Sequence, residues 1–213
     1  MAFVPATAMA DIQPTATYTD ENGDEVSTTD DFTGEAPLHV VFTANPSNLD
    51  AGASFEWHFR LQGANGSSEV VRYEEDTEYD FTVSGSTLVS LIVRYEDEVV
   101  DSASIRVTIS ESHLEMPNAF SPNGDGVNDI YKAKDNYKSI VEFHAYIFTR
   151  NGQKIYDWTN IDGGWDGTYN GRPVKDGVYF VLVKARGADG RKYHIRRDVN
   201  LLRNFNEATS VNE

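Results

Sequence analysis

The 213-residue chain has no cysteine, which excludes a disulfide framework, a zinc–thiolate site and a thiol nucleophile. No apolar run approaches the roughly 18–20 residues that a membrane-spanning helix needs. Helix signals are nearly missing too. The apolar segments are short, alternating and rich in Val, Ile, Thr, Tyr and Phe, and Gly, Asn or Asp residues separate them. This pattern predicts an all-β protein.

Basic residues are scarce in the first half of the chain. Residues 1–116 contain 22 Asp and Glu against four Arg and no Lys, a net charge of −18, whereas residues 117–213 contain 12 acidic against 14 basic residues, a net charge of +2. Two such different surfaces indicate two modules, and the length suits two domains of about 100 residues each. Nucleic-acid binding by the first module is disfavoured because phosphate contacts need cations.

The sequence holds no recognisable catalytic constellation. No two of its five histidines have a metal-binding spacing, and there is no nucleophile elbow, Gly-Lys-Ser/Thr phosphate loop or dinucleotide fingerprint. We therefore predict a protein that is not an enzyme and needs no cofactor, with calcium as the one ion to consider.

The strand and turn pattern predicts two Ig-like antiparallel β-sandwich domains in tandem. Seven short apolar segments precede residue 110, and Asn-Gly or Asp-Gly turns punctuate the second half. The predicted boundaries are 11–110 for an acidic sandwich, 111–116 for a short linker, 117–203 for a second sandwich and 204–213 for a flexible tail.

The first ten residues, MAFVPATAMA, end in the small-x-small pattern of a signal-peptidase site. The basic and most of the apolar part of a signal peptide are missing. Residues 1–10 are therefore interpreted as the remnant of a signal peptide, with a chance run of small residues as the alternative.

The stretch PNAFSPNGDGVNDIY, residues 117–131, is the richest candidate site, and we call it the opening loop. On the calcium-loop template its candidate ligands are Ser121, Asn123, Asp125, the carbonyl of Val127, and Asp129. The bidentate Glu of that template is missing, since Lys132 stands at its position. The alternative is a cluster of Asx turns, in which the same side chains bind neighbouring backbone amides and hold the loop.

Two other clusters invite a functional interpretation. The run Glu74–Asp80 could chelate calcium or meet a basic partner, but a solvated edge that discourages aggregation explains it as well. Trp57, Trp158 and Trp165 could stack on sugars, although alternation places Trp57 in a core and the Gly-rich setting of Trp165 favours a plug beneath a tight turn.

The opening loop and the motifs TRNGQKIYDW, GGWDGTYNGRPVKDGVYFVLVKA and HIRRDVNLLR resemble the gliding-motility-associated C-terminal domain family of Bacteroidetes. The resemblance implies a type B sorting domain of the type IX secretion system, recognised by outer-membrane machinery, and so an exported cell-surface or extracellular protein. The residues that match the family motifs are Pro117, Asn118, Phe120, Ser121, Pro122, Asn123, Asp125, Gly126, Asn128, Asp129, Trp165, Asp166, Gly167, Gly171, Asp176, Gly177 and Tyr179.

The first half, with GEAPLHVVFTANP followed by FEWHFR, resembles a PKD-like (polycystic-kidney-disease, Ig-like) domain. This resemblance implies a spacer or protein-interaction module. The alternative is an adhesive or accessory module that binds a glycan or protein and has no sorting role. For that module, Tyr73, Tyr79 and Tyr95 would supply the flat surface if they share a face.

Overall fold

The computed structural model describes residues 11–49, 51–63 and 66–203. Their contacts divide the chain into two compact units between Glu111 and Ser112. The predicted signal remnant, residues 1–10, and the predicted tail, residues 204–213, lie outside the described residues. Every regular element in the described ranges is a strand, so the all-β prediction is confirmed. Those ranges accordingly contain no helix that could cross a bilayer.

The first unit is built from two facing sheets and a small strand pair. One sheet has the order β4-β11-β10-β7-β8, the other has the order β3-β2-β5-β9, and β1 pairs with β6. The strands are β1 Asp11–Ile12, β2 Thr15–Thr19, β3 Glu25–Thr28, β4 Phe32–Gly34, β5 Leu38–Thr43, β6 Pro46–Ser47, β7 Ser54–Gly63, β8 Gly66–Arg72, β9 Thr77–Phe81, β10 Gly85–Tyr95 and β11 Glu98–Ile109.

Aromatic side chains from both sheets fill the core of this unit. Phe42 of β5 packs against Trp57 and Phe59 of β7, with ring centroids 5.7 and 5.6 Å apart. All three side chains are at most 2 % exposed. Strict alternation along β5 and β10 sends one face of each strand into this core, as a sheet with one solvated face requires.

The second unit contains one five-stranded sheet of order β12-β18-β17-β13-β14 and a two-stranded hairpin, β15-β16. Its strands are β12 Ala119–Phe120, β13 Ile140–Phe148, β14 Lys154–Trp158, β15 Thr168–Tyr169, β16 Arg172–Pro173, β17 Gly177–Gly187 and β18 Lys192–Leu201. The layer that covers this sheet is mostly irregular chain. It contributes Leu114, Met116, Tyr131, Ala133 and Trp165 to the buried core.

Most of the predicted short linker, residues 111–116, packs against the second unit. Leu114 and Met116 are 6 and 2 % exposed and belong to the second core. His113 and Lys138 exchange two backbone hydrogen bonds, of 3.0 and 2.9 Å. The sequence did not reveal this packing, because two isolated apolar residues in a polar stretch give no periodic signal.

One edge pair in each unit departs from the antiparallel prediction. β4 runs parallel to β11, and β12 runs parallel to β18. Each of these short strands lies beside the last strand of its unit and is not joined to it by a hairpin, so the antiparallel direction is not imposed.

Candidate functional site

The carboxylate of Asp129 holds the opening loop together. Its Oδ1 accepts hydrogen bonds from the backbone amides of Asn123 (2.9 Å) and Gly124 (2.7 Å), and its Oδ2 accepts one from the amide of Gly126 (2.8 Å). These bonds, that of Gly124 above all, keep the pKa of Asp129 below its usual value. One side chain thus satisfies three backbone donors that lack a strand partner.

Two Asx turns complete the loop. The Oδ1 of Asn123 accepts from the amide of Asp125 (3.0 Å), and the Oδ1 of Asp125 accepts from the amide of Val127 (2.8 Å). Gly124 and Gly126 have φ angles of +83° and +86°, the left-handed region that glycine enters without steric cost. The alternation of Asn, Gly and Asp therefore has a direct conformational cause.

The atoms of the calcium template are engaged within the loop. The Oγ of Ser121 donates to the carbonyl of Val127 (3.4 Å), so two expected ligands meet each other, and Ser121 is only 5 % exposed. In the part of the chain that the structure describes, no group of three or more His, Cys, Asp or Glu side chains could hold a metal ion. Calcium binding therefore rests on the sequence pattern alone.

Buried aromatic rings fix the two ends of the opening loop. Phe120 packs against Trp165 with ring centroids 5.3 Å apart. Tyr131 and Trp165 exchange backbone hydrogen bonds of 2.8 and 3.0 Å. The hydroxyl of Tyr131 donates to the carbonyl of Pro117 (3.0 Å) and closes the loop on itself. Burial raises the pKa of the Tyr131 phenol above its usual value.

The second motif, around Trp165, is a tight turn over the core. Trp165 is fully buried, and its Nε1 donates to the carbonyl of Thr168 (2.8 Å). Asp166 caps the turn, because its Oδ1 accepts from both the amide and the hydroxyl of Thr168. At Gly167, whose φ is +77°, a Cβ would come within 3.0 Å of Pro122 in the opening loop. The structure therefore packs the first and second motifs directly together.

The third motif is tied to the second by Arg203, a residue that was not among the predicted site residues. Its Nη1 donates to Asp176 Oδ1 and to the carbonyl of Val174, both at 2.6 Å, and its Nη2 donates to the carbonyl of Gly167 (3.0 Å). The ring of Tyr179 packs edge-on against that of Trp165 at 5.0 Å. Only the position of Arg203 at the end of the HIRRDVNLLR segment could have suggested it.

The remaining motif residues take part in backbone hydrogen bonds, allow turns with a positive φ angle, or lie away from the three packed motifs. The carbonyl of Asn118 accepts from the amide of Asn200 (2.9 Å), and the carbonyl of Asn128 accepts from the amide of Ser121 (2.8 Å). Gly171 and Gly177 have positive φ angles with open space where a Cβ would stand. Gly171 is exposed in the turn of the β15-β16 hairpin, away from the packed motifs.

Tyr73 and Tyr79, two of the three tyrosines considered for glycan binding, do not share a face. Tyr79 stacks on Phe59 at 4.4 Å and meets Phe81 edge-on, so its ring faces inward. Tyr73 is 74 % exposed, beyond the end of β8. Trp57 is buried and donates from Nε1 to the carbonyl of Glu75 (3.0 Å). No flat platform joins Tyr73 to Tyr79.

The acidic run Glu74–Asp80 is a turn followed by the edge strand β9. Asp76 accepts a hydrogen bond from the amide of Ala44 (3.0 Å), Glu74 accepts one from the hydroxyl of Thr77 (3.0 Å), and Asp80 lies 2.8 Å from His39. These carboxylates have separate local partners, which fits the solvated-edge interpretation.

Comparison with known proteins bears on the second unit. Residues 114–196 match the family described as the CHU_C type IX secretion signal domain. A search of curated proteins finds no match.

Two solved structures are similar in part. One is a tetra-tandem repeat in the extending region of a large adhesion protein, at 13 % identity over 92 % of this chain and 68 % of that chain, with a TM-score of 0.29. The other comprises the FN1–FN3 domains of chicken CNTN1, at 8 % identity over 83 % and 69 %, with a TM-score of 0.30. At these TM-scores neither similarity adds to the argument.

The family match coincides with the unit in which the three motifs meet, and it confirms the resemblance seen in the sequence. Residues 114–196 match a type IX secretion signal domain, and this match indicates a protein sorted by that system to the cell surface or the extracellular space.

Proposed function

We propose that residues 112–203 act as a folded sorting and attachment module for the type IX outer-membrane machinery, and that the first unit is a non-catalytic spacer or protein-interaction module. The family match at residues 114–196 carries the first half of this proposal. The family motifs form one connected structure, because Phe120 of the opening loop packs against Trp165 of the second motif and Arg203 joins the second motif to the third. The machinery would therefore recognise the surface of the folded module and not a short linear segment.

The charge arrangement of the first unit supports a spacer or interaction role. On the outer face of its larger sheet, His58 lies 2.7 Å from Glu69 and 3.3 Å from Glu56, and Arg94 lies 3.1 Å from Glu56. These bonds, the one to His58 first, lower the pKa of Glu56 and of Glu69. A carboxyl whose ionised form is stabilised by hydrogen bonds is a poor general acid.

Export of the full chain tests the proposal. The chain, placed behind a signal peptide that delivers it to the periplasm, is expected to reach the medium or the cell surface in a host with type IX secretion and to stay periplasmic in a secretion-defective host. Deleting residues 192–203 removes β18, the partner of β17 and β12, and is expected to abolish export. A parent chain that stays periplasmic in the competent host would contradict the sorting role.

A further inference from the structure

The outer face of the five-stranded sheet in the second unit is not used by the contacts described above. Partners in the strand register share a face, so Phe148 and Phe180 lie together, as do Tyr146 and Leu182. Phe180 is 43 % exposed. A shallow depression of about 540 Å³ lies at this end of the face, where Phe148, Phe180 and Leu182 line it together with the charged residues Arg150, Arg196, Arg197 and Asp198.

The other end of the same face is cationic. In the register of β17 and β18, Lys184 lies opposite His194 and Arg186 lies opposite Lys192. A second depression, of about 300 Å³, lies among these residues. The apolar and cationic ends are contiguous, because Leu182 stands opposite Arg196.

Three of the cations on this face have no ion-pair partner among the described residues. The carboxylate of Glu142 is bound by Arg186 at 2.6 Å, and that of Asp157 is bound by Lys154 at 2.8 Å. The three cations that remain are Lys184, Lys192 and Arg196, against one unpaired carboxylate, Asp198. The face therefore offers positive charge beside an exposed apolar hollow, which suits a partner with the opposite charge.

We propose that this outer face, which we call the docking face, binds an acidic segment of the type IX machinery that inserts an apolar side chain between Phe148, Phe180 and Leu182. The inference rests on the proposed sorting function and names its recognition surface. The apolar end is concave, which suits a projecting side chain of a protein partner, whereas insertion into a membrane needs apolar groups that project from the protein.

The test compares export of the full chain with that of two charge-reversal variants. The docking-face variant carries Lys184→Glu, Lys192→Glu and Arg196→Glu. Its matched control carries Arg172→Glu, Lys175→Glu and Arg191→Glu, three exposed cations of the same unit that lie outside the sheet's outer face. We expect export of the docking-face variant to fall about tenfold, the size of an effect that loss of electrostatic steering produces. Export of the control should stay close to that of the parent, and both variants should keep the melting temperature of the parent.

Two further variants and a control separate the contributions of charge and shape. Exchanging the cations by Lys184→Arg, Lys192→Arg and Arg196→Lys is expected to preserve export, because the charge remains. Phe180→Ser should lower export, whereas Val99→Ser, at a somewhat more exposed valine of the first unit, should not. Normal export of both Phe180→Ser and the docking-face variant would overturn the inference and leave the sorting function standing. Failure of the parent to be exported would overturn the sorting function itself.

Binding assays with the purified full chain distinguish the other occupants. Co-sedimentation with phosphatidylglycerol vesicles, or self-association in sedimentation velocity at low salt, would overturn the inference if the docking-face variant abolished it. The expected result is a monomer that does not bind these vesicles, both as the parent and as the variant.

Discussion

The two units reach a buried core by different routes. In the first, two sheets face each other, and the rings of Phe42, Trp57 and Phe59 meet between them. In the second, one sheet is covered by irregular chain, and side chains such as Asp129, Asp166 and Arg203 satisfy the backbone groups of that chain. The backbone of the first unit is held mainly by hydrogen bonds between strands. In the second unit, the irregular layer over the sheet is held by hydrogen bonds to polar side chains.

This difference predicts where each unit is vulnerable. A unit whose backbone is paired in ladders depends most on its apolar filling. A unit whose covering layer has few ladders depends also on single polar side chains, because removing one leaves several backbone groups without a partner. The predictions below test this contrast, beginning with the largest expected effect.

Trp57→Ala is expected to destabilise the first unit by about 3–5 kcal/mol, as truncation of a large buried aromatic does. The indole is 1 % exposed and donates a hydrogen bond to Glu75. Thermal unfolding followed by calorimetry measures the effect, with Tyr73→Ala, at an exposed ring, as the control. An unchanged first-unit transition in Trp57→Ala would show that the core does not depend on this ring.

Arg203→Met is expected to destabilise the second unit by about 2 kcal/mol, the size of a hydrogen bond to a charged group, because two backbone carbonyls and Asp176 lose their donor. Arg106→Met in the first unit is the matched control. It removes an exposed ion pair with Asp31 at 3.9 Å and a 3.3 Å hydrogen bond to the hydroxyl of Ser86, neither involving a backbone group, and should have little effect. Equal effects of the two substitutions would remove the contrast between the units.

Asp129→Asn should lower the melting temperature of the second unit at neutral pH, because the amide group cannot accept all three backbone bonds. The pKa of Asp129 is lowered in the folded state, so its stabilising effect is present above the usual value of 3.8 and is lost as the pH falls through the lower folded value. The difference between parent and variant should therefore shrink below about pH 4.

Asp20 provides the comparison in the first unit. It accepts bonds from the amides of Asn22 and Asp24, and its pKa is also lowered, chiefly by the bond from Asp24. It caps a turn between two paired strands, so Asp20→Asn should shift its own unit less than Asp129→Asn shifts the second. Melts of both variants across pH decide this, and the reverse order would contradict it.

Calcium is expected to leave the melting temperature of the second unit unchanged, the smallest effect of the series. A site that binds only the folded state would raise stability by about 2.7 kcal/mol at a hundredfold excess over Kd. The measurement is a melt with calcium against one with chelator, on the parent and on Asp125→Ala. A shift in the parent that the variant loses would establish a calcium site.

The sequence predicted the fold class well because strand alternation and Asn-Gly turns are local signals. The burial of Trp57 followed from alternation along β7. The Asn151-Gly152 turn joins β13 to β14 in a hairpin, as Asn-Gly between two alternating segments predicts. The parallel edge strands, the burial of Leu114 and the bonds of Arg203 depend on contacts between residues far apart in the chain. No local pattern encodes them.

The sequence also located the opening loop but left its chemistry open. The same Ser, Asn and Asp side chains suit a cation or a set of Asx turns, and only coordinates show that Asp129 faces three amides. The docking face was missed because its apolar residues alternate with core residues along β17. From sequence alone, that alternation does not reveal which face is exposed.

The position of Arg203 has a consequence for protein synthesis. Its guanidinium completes the contacts of motifs that begin more than eighty residues earlier, at Pro117. A polypeptide whose translation stops before this residue lacks the group that joins Gly167 to Asp176. A chain truncated before Arg203 is therefore expected to lose the contacts that join the second motif to the third, even though every residue of the motifs themselves is still present.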